Sequence, residues 1–207
     1  MTIPEMAPGG ITIPALDSWA FSDPELGWAE LSNEAKRERI LCAAGRVFTS
    51  QGLAAPMPAV AAAAGVGVAS VYRQYPSKRD LLAALVTRRL EQIAEAAIVA
   101  SQGETDHWTA LTEMLWMIVE RQSGDDFLGE AWLQVSDHPD VARTSSSTTA
   151  ALGRLLAAAR AEKRLRQDAT TLDLRLLFAA TRAAKQVEPE AWQRMLTLLI
   201  DGLDAQR

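Results

Sequence analysis

The chain has one cysteine, Cys42, in 207 residues. A lone thiol cannot close an internal disulfide, which excludes a disulfide-stapled scaffold and suits a reducing compartment. Cys42 reads as a small core residue, since a redox sensor would need a resolving thiol. Histidine is nearly as scarce, and His107 and His138 have no neighbour at metal-ligand spacing, so neither a metal nor another cofactor is expected. Two tyrosines and four phenylalanines are few for a sheet protein, whereas abundant Ala and Leu favour helices. No apolar run approaches the ~20 residues that cross a bilayer. The first ten residues, MTIPEMAPGG, lack the basic start and apolar core of a signal peptide. A cytoplasmic, all-α protein without membrane contact is expected. No nucleophile elbow, phosphate loop, metal cluster or acid pair stands out either, which ranks an enzyme far below other readings.

Positive charge is missing from residues 1–33, which hold five acids and no base. It is concentrated in residues 34–90, with nine Lys and Arg against three Asp and Glu, a balance of +6. Residues 91–207 hold twelve bases against eighteen acids, a balance of −6. The net charge of −5 thus conceals a basic segment of the kind phosphate binding requires.

What that segment contains is GLAAPMPAVAAAAGVGVASVYRQYPSKRDLL, from Gly52 to Leu82. Ala61 and Ala64 allow two helices to approach closely, and Gly65 supplies the positive φ of a tight turn. A second short helix spans about Val68 to Tyr75 and stops at Pro76. Ser77 and Asp80 then have the spacing of a capping box opening a longer helix. The pattern is a helix-turn-helix. With the second helix in a major groove, Val68, Ala69 and Ser70 face base edges, and Tyr72, Arg73 and Gln74 follow one turn later. Lys36, Arg37 and Arg39 crowd the first turns of the preceding helix, where the dipole prefers acids. Nearby phosphates would account for them, though a solvated face also would.

Ala61, Ala64, Gly65, Val66, Val71, Tyr72, Tyr75, Ser77, Lys78 and Leu81 resemble, at matching spacing, the DNA-binding signature of the TetR/AcrR transcriptional regulators. The resemblance covers about residues 34–89. It implies base or phosphate contacts from Ser70, Tyr72, Gln74 and Lys78, with Lys78 the foremost phosphate ligand. Relatives usually carry Thr and an acid where this chain has Pro56-Met57-Pro58, so an N-cap is missing there. Val71 and Tyr75 are expected to point inward.

Residues 1–33 form an acidic arm, rich in proline and without helical period, that reads as disordered or loosely docked. Trp19, Phe21 and Trp28 argue for some docking, and the opposed charges suggest competition with DNA for the basic face. A 34–82 helix-turn-helix domain and an 83–207 helical domain are expected after it, about nine helices in total. The long helix from Ser77 has an apolar line through Leu81, Leu82, Leu85, Leu90 and Ile93, and Arg88-Arg89 reads as solvated charge. Five further helices follow, one carrying the poor helix formers Ser145 to Thr149, which could bend it.

By the resemblance, the last domain is an antiparallel bundle for effector binding and dimerisation. Leu174, Leu177, Phe178, Trp192, Leu196, Leu199 and Leu203 are candidates for the dimer face. Trp108, Met114, Trp116, Met117, Phe127 and Trp132 read as core at helical spacing, and the resemblance adds an apolar effector pocket as a second reading. The expected function is a homodimeric, ligand-responsive repressor on a near-palindromic DNA operator, with a small effector shifting the helix after Ser77. A helical interaction module with a degenerate reader remains the alternative, because Gly67, Val68 and Ala69 offer few hydrogen-bonding groups.

Overall fold

The computed structural model describes residues 19–22, 26–103, 106–122 and 127–206. Expectations that fall on the rest, including most of the acidic arm, lie outside the described residues. Among those described there are nine α-helices: α1 Asn33–Gln51, α2 Met57–Ala64, α3 Val68–Gln74, α4 Lys78–Gln102, α5 His107–Gln122, α6 Phe127–Val135, α7 Pro139–Ala161, α8 Thr171–Val187 and α9 Ala191–Leu203. No helix among these residues is long and apolar enough to cross a membrane.

The chain divides into two compact units. The described parts of one come from residues 17–90 and 124–145, and of the other from residues 91–123 and 146–207. The helix-turn-helix unit is therefore larger than residues 34–82: it also takes in the end of the N-terminal arm, the first part of α4, α6 and the start of α7.

In this unit α1 starts at Ser32, whose Oγ accepts from the Ala35 amide at 3.1 Å. Its apolar stripe is buried as the periodicity predicts, through Ile40, Leu41, Ala44, Val47 and Phe48. Cys42, Ala43 and Gly45 are buried too, so α1 is covered on more than one side. Trp19 makes the additional cover: it is buried, and its ring lies 6.0 Å from that of Phe127 in α6. The Arg46 guanidinium donates to the Trp19 carbonyl at 2.5 Å. The disordered reading of the arm therefore fails for its described residues, because aromatic burial outweighs the ordering cost. Arg88 and Arg89 are not solvated charge either. Arg88 pairs with Glu38 and stacks over Trp19 at 5.5 Å, and Arg89 is buried.

The second unit is built on Leu111, Met114, Leu115, Ile118, Leu155, Leu174, Leu177 and Leu196, all fully buried. Residues 145–149 do not interrupt α7; Thr148 is buried, and packing overrides weak propensity there. Glu162, just past α7, accepts from the amides of His107 and Trp108, so it caps α5 from a distance of 55 residues in sequence. Thr170 and Asp173 form a capping box at the start of α8, and α8 packs on α9.

Two sets of sequence expectations need correction here. Leu174, Leu177, Trp192, Leu196 and Leu203 are buried in the second unit's own core, so these five do not form an outward face, while Phe178 and Leu199 are half-buried at its edge. Leu172, Leu176 and Leu198 are exposed at 56%, 57% and 48%. Helical spacing finds a stripe but not what covers it. The aromatic cluster also divides. Trp108, Trp116 and Met117 belong to the second unit, where Trp116 meets Trp192 edge-on at 6.0 Å. Phe127 and Trp132, on α6, pack in the helix-turn-helix unit.

Candidate nucleic-acid interface

The turn between α2 and α3 is made by backbone chemistry that the sequence specifies. Gly65 adopts φ 68°, its amide donates to Ala62 O at 3.1 Å, and the Val66 amide donates to Ala61 O at 3.0 Å. These are the two bonds of a Schellman motif. The Ala64 carbonyl is taken by Arg39 Nε at 2.9 Å. Ala61 and Ala64 are buried, so small side chains do set the close approach of α2.

A second arginine holds α3. Arg37 donates from NH1 to the Gln74 carbonyl at 2.5 Å, and its guanidinium stacks over the Tyr75 ring at 4.5 Å. The Tyr75 hydroxyl donates back to the Arg37 carbonyl at 3.1 Å. Burial pushes the Tyr75 hydroxyl up to about 12, against the opposing pull of the Arg37 charge, so it stays a donor at neutral pH. Cations at the carbonyl ends of α2 and α3 also suit the helix dipoles. Two of the three bases crowding α1 thus have an internal task, and no local sequence signal marks it, because their carbonyl partners lie 37 and 25 residues away.

Beyond α3, Ser77 Oγ accepts from the Asp80 amide at 3.1 Å and donates to the Asp80 carboxylate at 2.6 Å. The carboxylate of the expected box thus returns to the hydroxyl. Asp80 also faces His138 Nε2 at 3.5 Å, and Arg79 pairs with Asp137 at 2.5 Å. The hydroxyl bond chiefly lowers the Asp80 pKa, burial opposing it.

The candidate reader residues separate into those free to meet DNA and those already engaged. Ala69, Tyr72 and Arg73 are exposed, Tyr72 at 45%. Ser70 accepts from Arg73 NH2 at 2.8 Å. Val68 packs partly against the unit's core and is half-buried. Gln74 is half-buried. Lys36 is half-buried with Nζ 5.8 Å from the Trp28 ring centroid. Lys78 differs most from expectation. Its ammonium donates to the carbonyls of Leu53 and Ala55, the latter at 2.8 Å, and lies over the Phe48 ring at 5.5 Å. Two of its three donors are therefore used to close the α1–α2 connection.

Among the described residues no group of three or more His, Cys, Asp or Glu side chains is placed to hold a metal. Cys42 is fully buried, and burial with the Glu38 charge pushes its thiol up to about 11.

A three-helix unit with a tight glycine turn, a short exposed reader and a capped connecting helix defines a helix-turn-helix DNA-binding protein. The profile of bacterial regulatory proteins of the tetR family matches residues 40–85, and that of the transcriptional regulator SbtR-like C-terminal domain matches residues 106–205. The chain belongs to the tetR family, and is a transcriptional regulator rather than an enzyme. It is similar in structure to the TetR transcriptional regulator SCO0520 from Streptomyces coelicolor, at 24% identity and TM-score 0.61, covering 81% of this chain and 98% of that one. A TetR regulator from Mycobacterium vanbaalenii shares 26% identity at TM-score 0.58, over 83% of this chain and 96% of that one. SmeT, the repressor of the Stenotrophomonas maltophilia multidrug efflux pump SmeDEF, shares 25% identity at TM-score 0.58, over 82% and 88% of the two chains. No curated protein matches the sequence significantly.

Proposed function

We propose that this chain is a cytoplasmic, homodimeric repressor that reads a near-palindromic operator through α3 and leaves it when a small, largely apolar effector binds the second unit. The observation that carries the reading is the outward display of Ala69, Tyr72 and Arg73 on a reader whose two neighbouring carbonyl ends are held by Arg37 and Arg39. Tyr72 can donate to a phosphate, Arg73 to a phosphate or a guanine edge once it releases Ser70, and the Ala69 methyl can meet a thymine methyl. Gln74 is placed for a smaller part. Lys78 acts from within, by setting the connection between α1 and α2. Leu172, Leu176 and Leu198 supply the apolar face that a second copy would cover. Likeness to SmeT, a pump repressor by its description, supports repression. Effector and DNA then weaken each other by the same factor.

The test is binding to DNA from upstream of the chain's own coding sequence, read by gel shift and footprint over a salt series. A two-fold symmetric footprint and a steep fall of affinity with salt are expected. Tyr72→Ala and Arg73→Ala should each weaken binding, Arg73→Ala with altered preference at particular bases. If both variants bind like the wild type on a confirmed operator, α3 is not the reader.

A further inference from the structure

Three of the four cations of α1, Lys36, Arg39 and Arg46, are met by the chain's own N-terminal arm. Residues 1–33 carry five acids and no base, against a balance of +6 in residues 34–90. Trp19 is seated where α1 has a glycine: an ideal Cβ on Gly45 would lie 1.9 Å from Trp19 Cδ2 and 2.2 Å from Cγ, which no side chain could occupy while the indole stays. From that anchor the arm reaches one cation after another. Arg46 donates to the Trp19 carbonyl at 2.5 Å. Arg39 NH1 donates to the Leu26 carbonyl at 3.0 Å, with its guanidinium 6.0 Å over the Phe21 ring. Lys36 Nζ lies 5.8 Å over the Trp28 ring. Aromatic faces and carbonyl oxygens are what phosphate oxygens would have to displace to reach these side chains.

We propose that Trp19, Phe21, Leu26 and Trp28 act as a built-in competitor of DNA, holding Lys36, Arg39 and Arg46 on the protein until DNA displaces them. The inference rests on the DNA-binding reading. It makes the affinity of the reader lower than its charge allows, and leaves release of the arm as a second point of control besides the effector.

Gly45→Ala is the discriminating variant. It places a methyl group where the indole sits, at a helix position that favours alanine over glycine, so it evicts the arm while supporting α1. Cys42 supplies an independent reporter. It is the chain's only cysteine, fully buried, and its thiol donates to the Ala20 carbonyl of the arm at 3.1 Å. Full-length wild type and Gly45→Ala are compared for binding to a double-stranded DNA of arbitrary sequence and to the upstream DNA, and for labelling of Cys42 by a disulfide reagent.

Gly45→Ala should label faster and bind both DNAs several-fold more tightly at low salt. Its slope of log affinity against log salt should steepen by about 0.9 for each cation that reaches a phosphate. In the wild type, saturating DNA should itself speed labelling, because mutually exclusive partners weaken each other reciprocally. Faster labelling of Gly45→Ala with unchanged DNA affinity and slope overturns the proposal, as does slower or unchanged labelling of the wild type on DNA. If Gly45→Ala loses helix by circular dichroism, the double variant Phe21→Ala, Trp28→Ala takes its place in the DNA comparison, uncovering Arg39 and Lys36 with Trp19 seated. Equal binding then overturns this inference alone. Failure of both proteins to bind either DNA overturns the DNA reading and this inference with it.

Discussion

The Arg37 guanidinium stacks over the Tyr75 ring at 4.5 Å while the Tyr75 hydroxyl donates to the Arg37 carbonyl at 3.1 Å. The pair joins the first turns of α1 to the residue that ends the reader, and Arg37 reaches on to the Gln74 carbonyl. The reader's orientation therefore depends on two side chains that need not touch DNA. Tyr75→Phe removes one buried hydroxyl and should cost about 0.5–1.5 kcal/mol, seen as a lower urea midpoint with an unchanged m-value. Arg37→Lys keeps the charge but not the planar fork or the stack. It should weaken DNA binding nearly as much as Arg37→Ala; full affinity in Arg37→Lys would mean that Arg37 serves as a simple phosphate ligand.

Alkaline unfolding of the same unit follows from its buried acids. Tyr75 is raised to about 12 and Cys42 to about 11, each mainly by burial. In both cases the unfolded chain loses its proton first. The folded state is therefore favoured fully below pH 9, and the preference is lost from pH 9 to about 12, Cys42 first. Cys42→Ala should remove the earlier part of that loss, measured as unfolding free energy against pH.

Lys78 offers a test between a structural and an electrostatic role. With its ammonium on Leu53 O and Ala55 O, Lys78→Ala should lower stability by about 1–3 kcal/mol, the cost of leaving those partners unpaired. DNA affinity should fall with it, but the salt slope should keep its value. A phosphate ligand would lose about 0.9 of slope.

His107 and Glu162 tie the second unit together and give it a pH signature. Their side chains meet at 2.5 Å. The bond to Glu162 raises His107. Partial burial pushes Glu162 up, yet the bonds from the His107 ring and the His107 and Trp108 amides outweigh it and lower it. A raised His contributes below its unfolded value of 6.5 and fades as pH climbs through the folded one. A lowered Glu contributes above 4.5 and fades as pH drops through its folded value. The contribution is thus full between about 4.5 and 6.5, and thermal unfolding of the second unit should occur at higher temperature there than at about pH 8.5. His107→Ala should flatten that difference.

The proposed dimer face and the core beneath it should respond differently. Leu176→Glu, on an exposed position, should yield a folded monomer by analytical ultracentrifugation, with weaker binding to a two-fold operator. Leu177→Ala, one residue on and 1% exposed, should instead destabilise the unit by about 2–5 kcal/mol.

Local chemistry was legible without the structure. Gly65 at φ 68°, the small Ala61 and Ala64, the Ser77 and Asp80 hydroxyl–amide bond and the α1 stripe all depend on residues within a few positions of one another, and local sterics decide them. The helix-turn-helix and the all-α class therefore belonged to the sequence by itself. Which partner covers each surface did not. Lys78 binds carbonyls 23 and 25 residues away, Arg37 one 37 residues away, and Arg88 reaches Glu38 across 50 positions. Leu174 and Leu177 are interior while Leu172 and Leu176 are outside, a choice made by how the helix is rotated against its neighbours. Periodicity shows that a helix has an apolar side; only the tertiary packing chooses what meets it. The same holds for Gly45, an unremarked glycine in a helix until Trp19 is found lying on it.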